Sequence, residues 1–187
     1  INNDFIFALG SAEPRKNTRL VIDSFTKIKK DSVLYKNLKL ILVGLEPRYK
    51  KKIKFLVKKY ALEDEIVLLD FVSELDLILF YKLAKIFLYP SLYEGFGLPI
   101  LEAMISKTPI ITMDSGSIKE IAEDAAFYLK ENTTQEMTKS IKYILENKNH
   151  YSNLVLRGSK RSNFFSWDTA AKSYILTYKS MIKSKNY

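Results

Sequence analysis

No cysteine occurs among the 187 residues, which excludes disulfides and thiolate metal sites and is compatible with a cytoplasmic setting. The single histidine, His150, sits in the polar run ENKNHYSN, where a solvated loop residue is expected, and no zinc-ligand spacing appears. No apolar run approaches a membrane span. No secretory leader is visible, although Ile1 is not an initiator residue and a preceding leader stays open. There is no internal repeat, no low-complexity linker and no aromatic RNA-binding motif, so nucleic acid is not an expected partner. Acidic residues are in deficit, 21 against 30 lysines and arginines, and the net charge of +9 suits a phosphate-bearing ligand or an anionic surface.

What is present is ordinary for a soluble globular chain, with 47% apolar and 27% charged residues and enough length for one domain, residues 1–187, with its own core. Short apolar runs at Phe5–Leu9, Leu38–Val43, Ile66–Leu69, Ile86–Tyr89, Pro109–Thr112 and Ala126–Leu129 read as six strands. Helical spacing fills the intervals: Thr18 as cap of a helix to about Lys30, the basic stretch Arg48–Lys59, Ser73 as cap of a helix from Glu74 to Ala84, Ile100–Ser106, Ile118–Ala122, Thr134–Asn147, Tyr151–Asn163 and Trp167–Lys183. The apolar positions Leu75, Ile78, Leu79, Tyr81 and Leu83 are expected to face the core, as are Ala170, Ala171, Tyr174, Ile175 and Tyr178 of the closing helix, and the tail after Ile182 is expected to fray. Arg48–Lys59 reads as an amphipathic helix whose basic face is either solvated or set against a membrane or a polyanion.

Strands that alternate with helices and are apolar throughout predict a doubly wound parallel sheet covered on both faces. Ligands of such sheets bind beyond the carboxyl ends of the strands. The loops that follow strands here contain Gly10, Gly44, Val72 and Glu94–Gly97, which should converge on one crevice. In Ser91–Ala103, SLYEGFGLPILEA, a strand ends at Pro90, Gly95 and Gly97 allow a tight loop, and Pro99 opens a helix whose free N–H groups favour an anion. Glu94 lies in the loop and Glu102 in the helix, so they make two separate contacts along an extended ligand, such as hydroxyl pairs of a sugar, or are simply solvated. The loop Gly10–Asn17, GSAEPRKN, brings the cations Arg15 and Lys16 to the start of a helix, suited to a diphosphate or, alternatively, to a charged surface.

The run PSLYEGFGLPILEAM resembles the donor-site segment of family-4 retaining glycosyltransferases, the glycosyl transferases group 1 domain, in which two glutamates are separated by seven residues. The resemblance extends from Gly10 to the FSW at Trp167 and matches the C-terminal half of a two-domain GT-B enzyme. It implies a Rossmann-like fold closed by the helix 167–183. It also implies a nucleotide-diphosphate sugar (GDP-mannose or a UDP-hexose) as substrate, with no metal and no cofactor, and transfer with retention to a glycan or lipid-linked acceptor held by an N-terminal domain that this sequence does not include. Residue by residue, Lys16 fills the family's basic position six after the glycine. Ser11 stands where many members carry arginine, and Arg15 is the expected source of that second cation. Glu94, Lys16 and Arg15 are implied in catalysis, and Gly10, Ser11, Gly44, Val72, Gly95, Phe96, Gly97, Leu98 and Glu102 in donor binding. Phe71 and Trp167 read as packing residues. The expected setting is bacterial surface polysaccharide assembly in the cytoplasm, with peripheral contact at the inner face of the membrane. Alternatives are a nucleotide-sugar-binding module without turnover, a GT-B-fold epimerase, which the EGFGLP context disfavours, and a response-regulator-like interaction domain, disfavoured by the lack of an acidic cluster at strand ends.

Overall fold

The computed structural model describes residues 4–31 and 33–184. Six parallel strands form one sheet: β1 Phe5–Leu9, β2 Lys39–Val43, β3 Ile66–Leu68, β4 Ile86–Tyr89, β5 Ile110–Met113 and β6 Phe127–Leu129, in the order β3-β2-β1-β4-β5-β6. Eight α-helices accompany them among the described residues: α1 Thr18–Asp31, α2 Pro47–Lys59, α3 Glu74–Leu83, α4 Leu98–Ile105, α5 Ile118–Ala122, α6 Thr134–Glu146, α7 Lys148–Ser162 and α8 Trp167–Ser184. The predicted strands are present with ends shifted by a residue or two, which is the usual scatter where the last ladder bond is weak. Helix α7 begins at Lys148, earlier than its apolar spacing indicates.

Successive side chains of a strand point to opposite faces, so each apolar run serves two cores. Ile6 and Ala8 of β1 join Leu40, Leu42, Ile86 and Leu88 against α1, α2 and α6. Phe5 and Phe7 join Ile41, Phe87 and Tyr89 against α3, α4 and α5 on the other face. The second core holds an aromatic column, with Phe7 5.0 Å from Tyr81, Phe87 5.4 Å from Phe7, and Tyr89 stacked on Phe87 at 5.6 Å. Each edge-on or offset contact adds roughly 0.5–1.5 kcal/mol to the burial of the rings.

Several local expectations are corrected. Thr18 is the first residue of α1 rather than its cap. Its hydroxyl instead accepts from the Ser11 N–H and donates to the Ser11 carbonyl, both at 3.0 Å, while the Asn17 carbonyl accepts from Leu20 N. His150 lies within α7 and packs between the rings of Phe127 and Tyr143 rather than in a loop. Of the predicted apolar face of α3 only Tyr81 is buried, and Leu75, Ile78, Leu79 and Leu83 are exposed, as is Phe71. Helix α8 does not close the sheet: Trp167 is 82% exposed and Tyr174, Ile175 and Tyr178 are also open. An amphipathic stripe specifies that a face is to be covered, but not that this stretch of chain covers it. The helix continues past Ile182 to Ser184, and the remainder of the tail expected to fray, Lys185–Tyr187, lies outside the described residues.

Ser73 does cap α3, accepting from Asp76 N at 3.1 Å. Ser73→Ala should therefore cost about 1 kcal/mol. For a chain of this size that is a fall of roughly 2–4 °C in the thermal midpoint, readable by calorimetry.

Candidate functional site

Strand order reverses between β1 and β4, and the loops leaving their carboxyl ends run side by side. They are stitched together by main chain: Leu92 N donates to the Arg15 carbonyl at 2.7 Å. A side chain adds to the seam, since Asn17 Nδ2 donates to the Pro90 carbonyl at 3.4 Å, and Ser91 Oγ lies 3.3 Å from the Arg15 carbonyl. Asn17 can do this because it adopts the left-handed conformation, φ 57°, that ends the 3₁₀ turn Pro14–Lys16 and aims both cations at the neighbouring loop.

Glu94 is the centre of the site. It is 9% exposed and carries more hydrogen bonds than any surface carboxylate would need. Lys16 Nζ donates to its Oε1 at 2.7 Å, Arg15 Nη1 to its Oε2 at 3.0 Å and Ser91 Oγ to Oε1 at 2.5 Å. Tyr89 completes the set: its hydroxyl accepts from Lys16 Nζ at 3.0 Å and hydrogen-bonds to the Glu94 carboxylate. Arg15 is further held by Glu13, at 2.6 Å from Nε, and by the Tyr93 carbonyl. Burial pushes the Glu94 carboxyl up, but its bonds from Lys16, Ser91 and Tyr89 outweigh this and hold it below its ordinary range. Burial, reinforced by Glu94, pushes the Tyr89 phenol well above its usual range, so it stays a proton donor.

The lowered carboxyl has a pH consequence. A group whose folded value lies below its unfolded one contributes stability that is fully present above the unfolded value and is lost as pH falls through the folded value. The seam between the two loops should thus loosen only under acid, below the ordinary carboxylate range. Lys16→Met should move the Glu94 titration upward, which carboxyl-carbon NMR would follow; an unmoved Glu94 resonance would show that Lys16 does not set its charge.

Glu102 stands apart from this cluster, in the second turn of α4, exposed and accepting from the Tyr81 hydroxyl at 2.8 Å. The aromatic column thus ends in two phenols, one addressing each glutamate. Gly97, at φ 100°, caps α4, and a β-carbon on Gly95 would meet nothing within 4 Å. Phe96 and Leu98 are half exposed, with Phe96 edge-on to Phe165 at 6.0 Å. Gly10 N donates to the Val43 carbonyl at 2.8 Å, which brings Gly10, Ser11 and Gly44 together at the ends of β1 and β2. Val72 follows β3 and packs, partly buried, on the second core. The structure therefore joins Arg15, Lys16 and Glu94 directly, groups Gly10, Ser11 and Gly44 beside them, and leaves Glu102 and Val72 as separate contacts.

Four participants were not legible: Tyr81, Tyr89, Ser91 and Ser117. The tyrosines sit in runs that read as core, and only a phenol beside apolar neighbours hints at a polar errand. Ser117 ties the loop from behind, its N–H and Oγ donating to the Glu94 carbonyl at 3.3 and 3.1 Å. Among the described residues no group of three or more histidine, aspartate or glutamate side chains is placed to hold a metal ion, and no helix is long and apolar enough to cross a membrane.

The chain is 31% identical over 171 residues to the O-antigen chain mannosyltransferase B of Escherichia coli, an alignment covering 91% of this chain and 44% of that protein. The chain thus spans less than half the length of that relative. Among solved structures, the C-terminal domain of the glycosyl transferase group 1 family protein LpcC from Francisella tularensis superposes with a TM-score of 0.74 at 23% identity, covering 86% of this chain and 85% of that one. Anabaena HepE, in complex with UDP and glucose, superposes with a TM-score of 0.81 at 21% identity over 96% of this chain and 49% of its own. At these identities the structures establish a shared fold. The family model described as glycosyl transferases group 1 matches residues 2–161, and the chain belongs to that family.

Proposed function

We propose that this chain is the donor-binding half of a retaining hexosyltransferase, holding a nucleoside-diphosphate sugar in the crevice between the β1 and β4 loops. The observation that carries the reading is the ion cluster of Lys16, Arg15 and Glu94 at the strand-order reversal. In the reaction the bond from the anomeric carbon to the diphosphate breaks and a bond to an acceptor hydroxyl oxygen forms, with loss of the hydroxyl proton. Negative charge grows on the diphosphate and positive charge on the sugar. Groups that answer charge as it develops are the ones that accelerate the step. Lys16, Arg15 and the N–H groups around Gly97 and Leu98 serve the diphosphate, and the reading assigns that task to side chains and main chain rather than to a metal. As phosphate oxygens engage the two cations, Glu94 releases part of its pairing and turns its lone pairs to sugar hydroxyls. Glu102, steadied by Tyr81, takes the ribose diol. Open space at Gly95 supports close approach of the ligand to the backbone.

The mannosyltransferase names of relatives support mannose as the sugar, for which GDP-mannose is the proposed donor, and the HepE complexes with UDP and UDP-glucose support a UDP-hexose. The O-antigen relative supports a glycan acceptor in bacterial surface polysaccharide assembly; a lipid-linked acceptor and a cytoplasmic setting belong to the same proposal. The acceptor would be held by a further domain of the kind that fills the rest of the relatives' length. Calorimetric titration with UDP, GDP and their sugar conjugates tests the reading. Selective binding of one nucleotide, weakened by Glu102→Ala and without sugar transfer by the chain alone, is expected. Binding of none would overturn the donor site, and transfer by the chain alone would overturn its being half of the machinery.

A further inference from the structure

Helix α2 lies on the outside of the sheet and buries Ile53 and Val57, with Tyr49, Leu56 and Tyr60 partly covered. At 100° per residue the direction opposite this face falls on Phe55, which is 74% exposed. Around it on the same outward arc are Lys51 and Lys58 on one side and Arg48, Lys52 and Lys59 on the other, all five exposed. The helix contains no acidic residue, and among the described residues its one ion pair joins Lys50 to Asp70, on the flank. Five cations thus surround one exposed aromatic ring along a helix about 20 Å long. A solvated lysine face accounts for the charge, but not for a phenylalanine at its middle.

We propose that this face of α2 docks on an anionic lipid surface, with the lysines among the headgroups and Phe55 inserted at the acyl boundary. Charge complementarity selects the occupant. Lysine heads on long stems reach a diffuse layer of negative headgroups while the stems and the ring between them take up the apolar boundary. A nucleic acid would call for forked arginine contacts or a row of stacking rings, whereas the face offers one arginine and one ring. This inference goes beyond the donor-site reading, and because its test contains no nucleotide, the two can fail separately.

The 187-residue chain would be sedimented with phosphatidylcholine vesicles containing about one third phosphatidylglycerol, and with phosphatidylcholine alone. Binding to the anionic vesicles only is expected, and its loss at about 0.5 M salt, where charge attraction is screened within a few ångströms. Each juxtamembrane cation contributes about a fivefold gain in partitioning, so Lys51→Gln with Lys58→Gln should lower it by roughly 25-fold. In a Trp167→Phe background, Phe55→Trp should show blue-shifted emission with the anionic vesicles. Equal binding to both vesicle types, no binding to the anionic ones, undiminished binding by the double glutamine variant, unshifted emission, or tighter binding to a single-stranded oligonucleotide would each overturn the proposal.

Discussion

Lys16→Met is expected to weaken nucleoside-diphosphate binding by about 10- to 100-fold, the scale of one charge-assisted hydrogen bond, and to abolish sugar transfer in any assembly that carries it out. Lys16 reaches both the Glu94 carboxylate and the Tyr89 hydroxyl, so its ammonium is fixed at the crevice rather than swinging in solvent. With the ammonium gone, Glu94 keeps Arg15 and Ser91 but loses its shortest cationic contact, at 2.7 Å. The remaining carboxylate then repels the phosphate it stands beside. Lys16→Arg should recover part of the affinity, because it restores charge but not the compact head that fits between Tyr89 and Glu94. Calorimetry of the two variants side by side checks this; an affinity unchanged in Lys16→Met would place the phosphates elsewhere.

Gly116→Ala is expected to damage the same site from behind, without touching a ligand. Gly116 has φ +55°, and a β-carbon there would stand 2.6 Å from the Glu94 carbonyl oxygen and 3.3 Å from its nitrogen. Both obstacles are main chain, so no side-chain rotation relieves them. The left-handed backbone adds a penalty of about 1–2 kcal/mol for any residue with a β-carbon. Moving the Glu94 backbone away also strains the two bonds from Ser117. A total loss of roughly 2–4 kcal/mol, or about 4–16 °C in the thermal midpoint, is expected, with the Glu94 titration rising as its partners are lost. Gly95→Ala is the counterpart. Its β-carbon meets nothing, so stability should change by less than about 0.5 kcal/mol, while on the donor-site reading nucleotide affinity falls. Thermal scans and titrations of the pair separate a residue needed by the fold from one needed by the ligand; a Gly116→Ala chain as stable as the parent would refute the packing account.

The sheet was readable because a doubly covered strand has nowhere to put polar residues: FIFAL, KLILV and IFLY announce themselves. Glu94 and the two cations were readable as chemistry in loops after strands. Their union was not, since Arg15 and Lys16 are remote in sequence from Glu94 and nothing local encodes an ion pair between loops. Tyr81 and Tyr89 were hidden for the opposite reason, their rings being so well suited to the core that the hydroxyl at the far end passes unnoticed. Leu75, Leu79 and Tyr174 were misjudged because an apolar stripe records that a face has a destination, without giving the address.

The reversal of strand order also constrains how the molecule comes into being. Strands β1, β2 and β3 are consecutive and can pair as they are made, yet the site needs β1 beside β4, with Lys16 and Glu94 separated by 78 positions. Closing that loop must be compensated by contacts that do not yet exist when β1 to β3 first assemble, and such distant pairings slow the search. A chain emerging from the ribosome can therefore possess half of its sheet and none of its crevice. Folding and acquisition of the site converge on one event, the docking of β4 against β1.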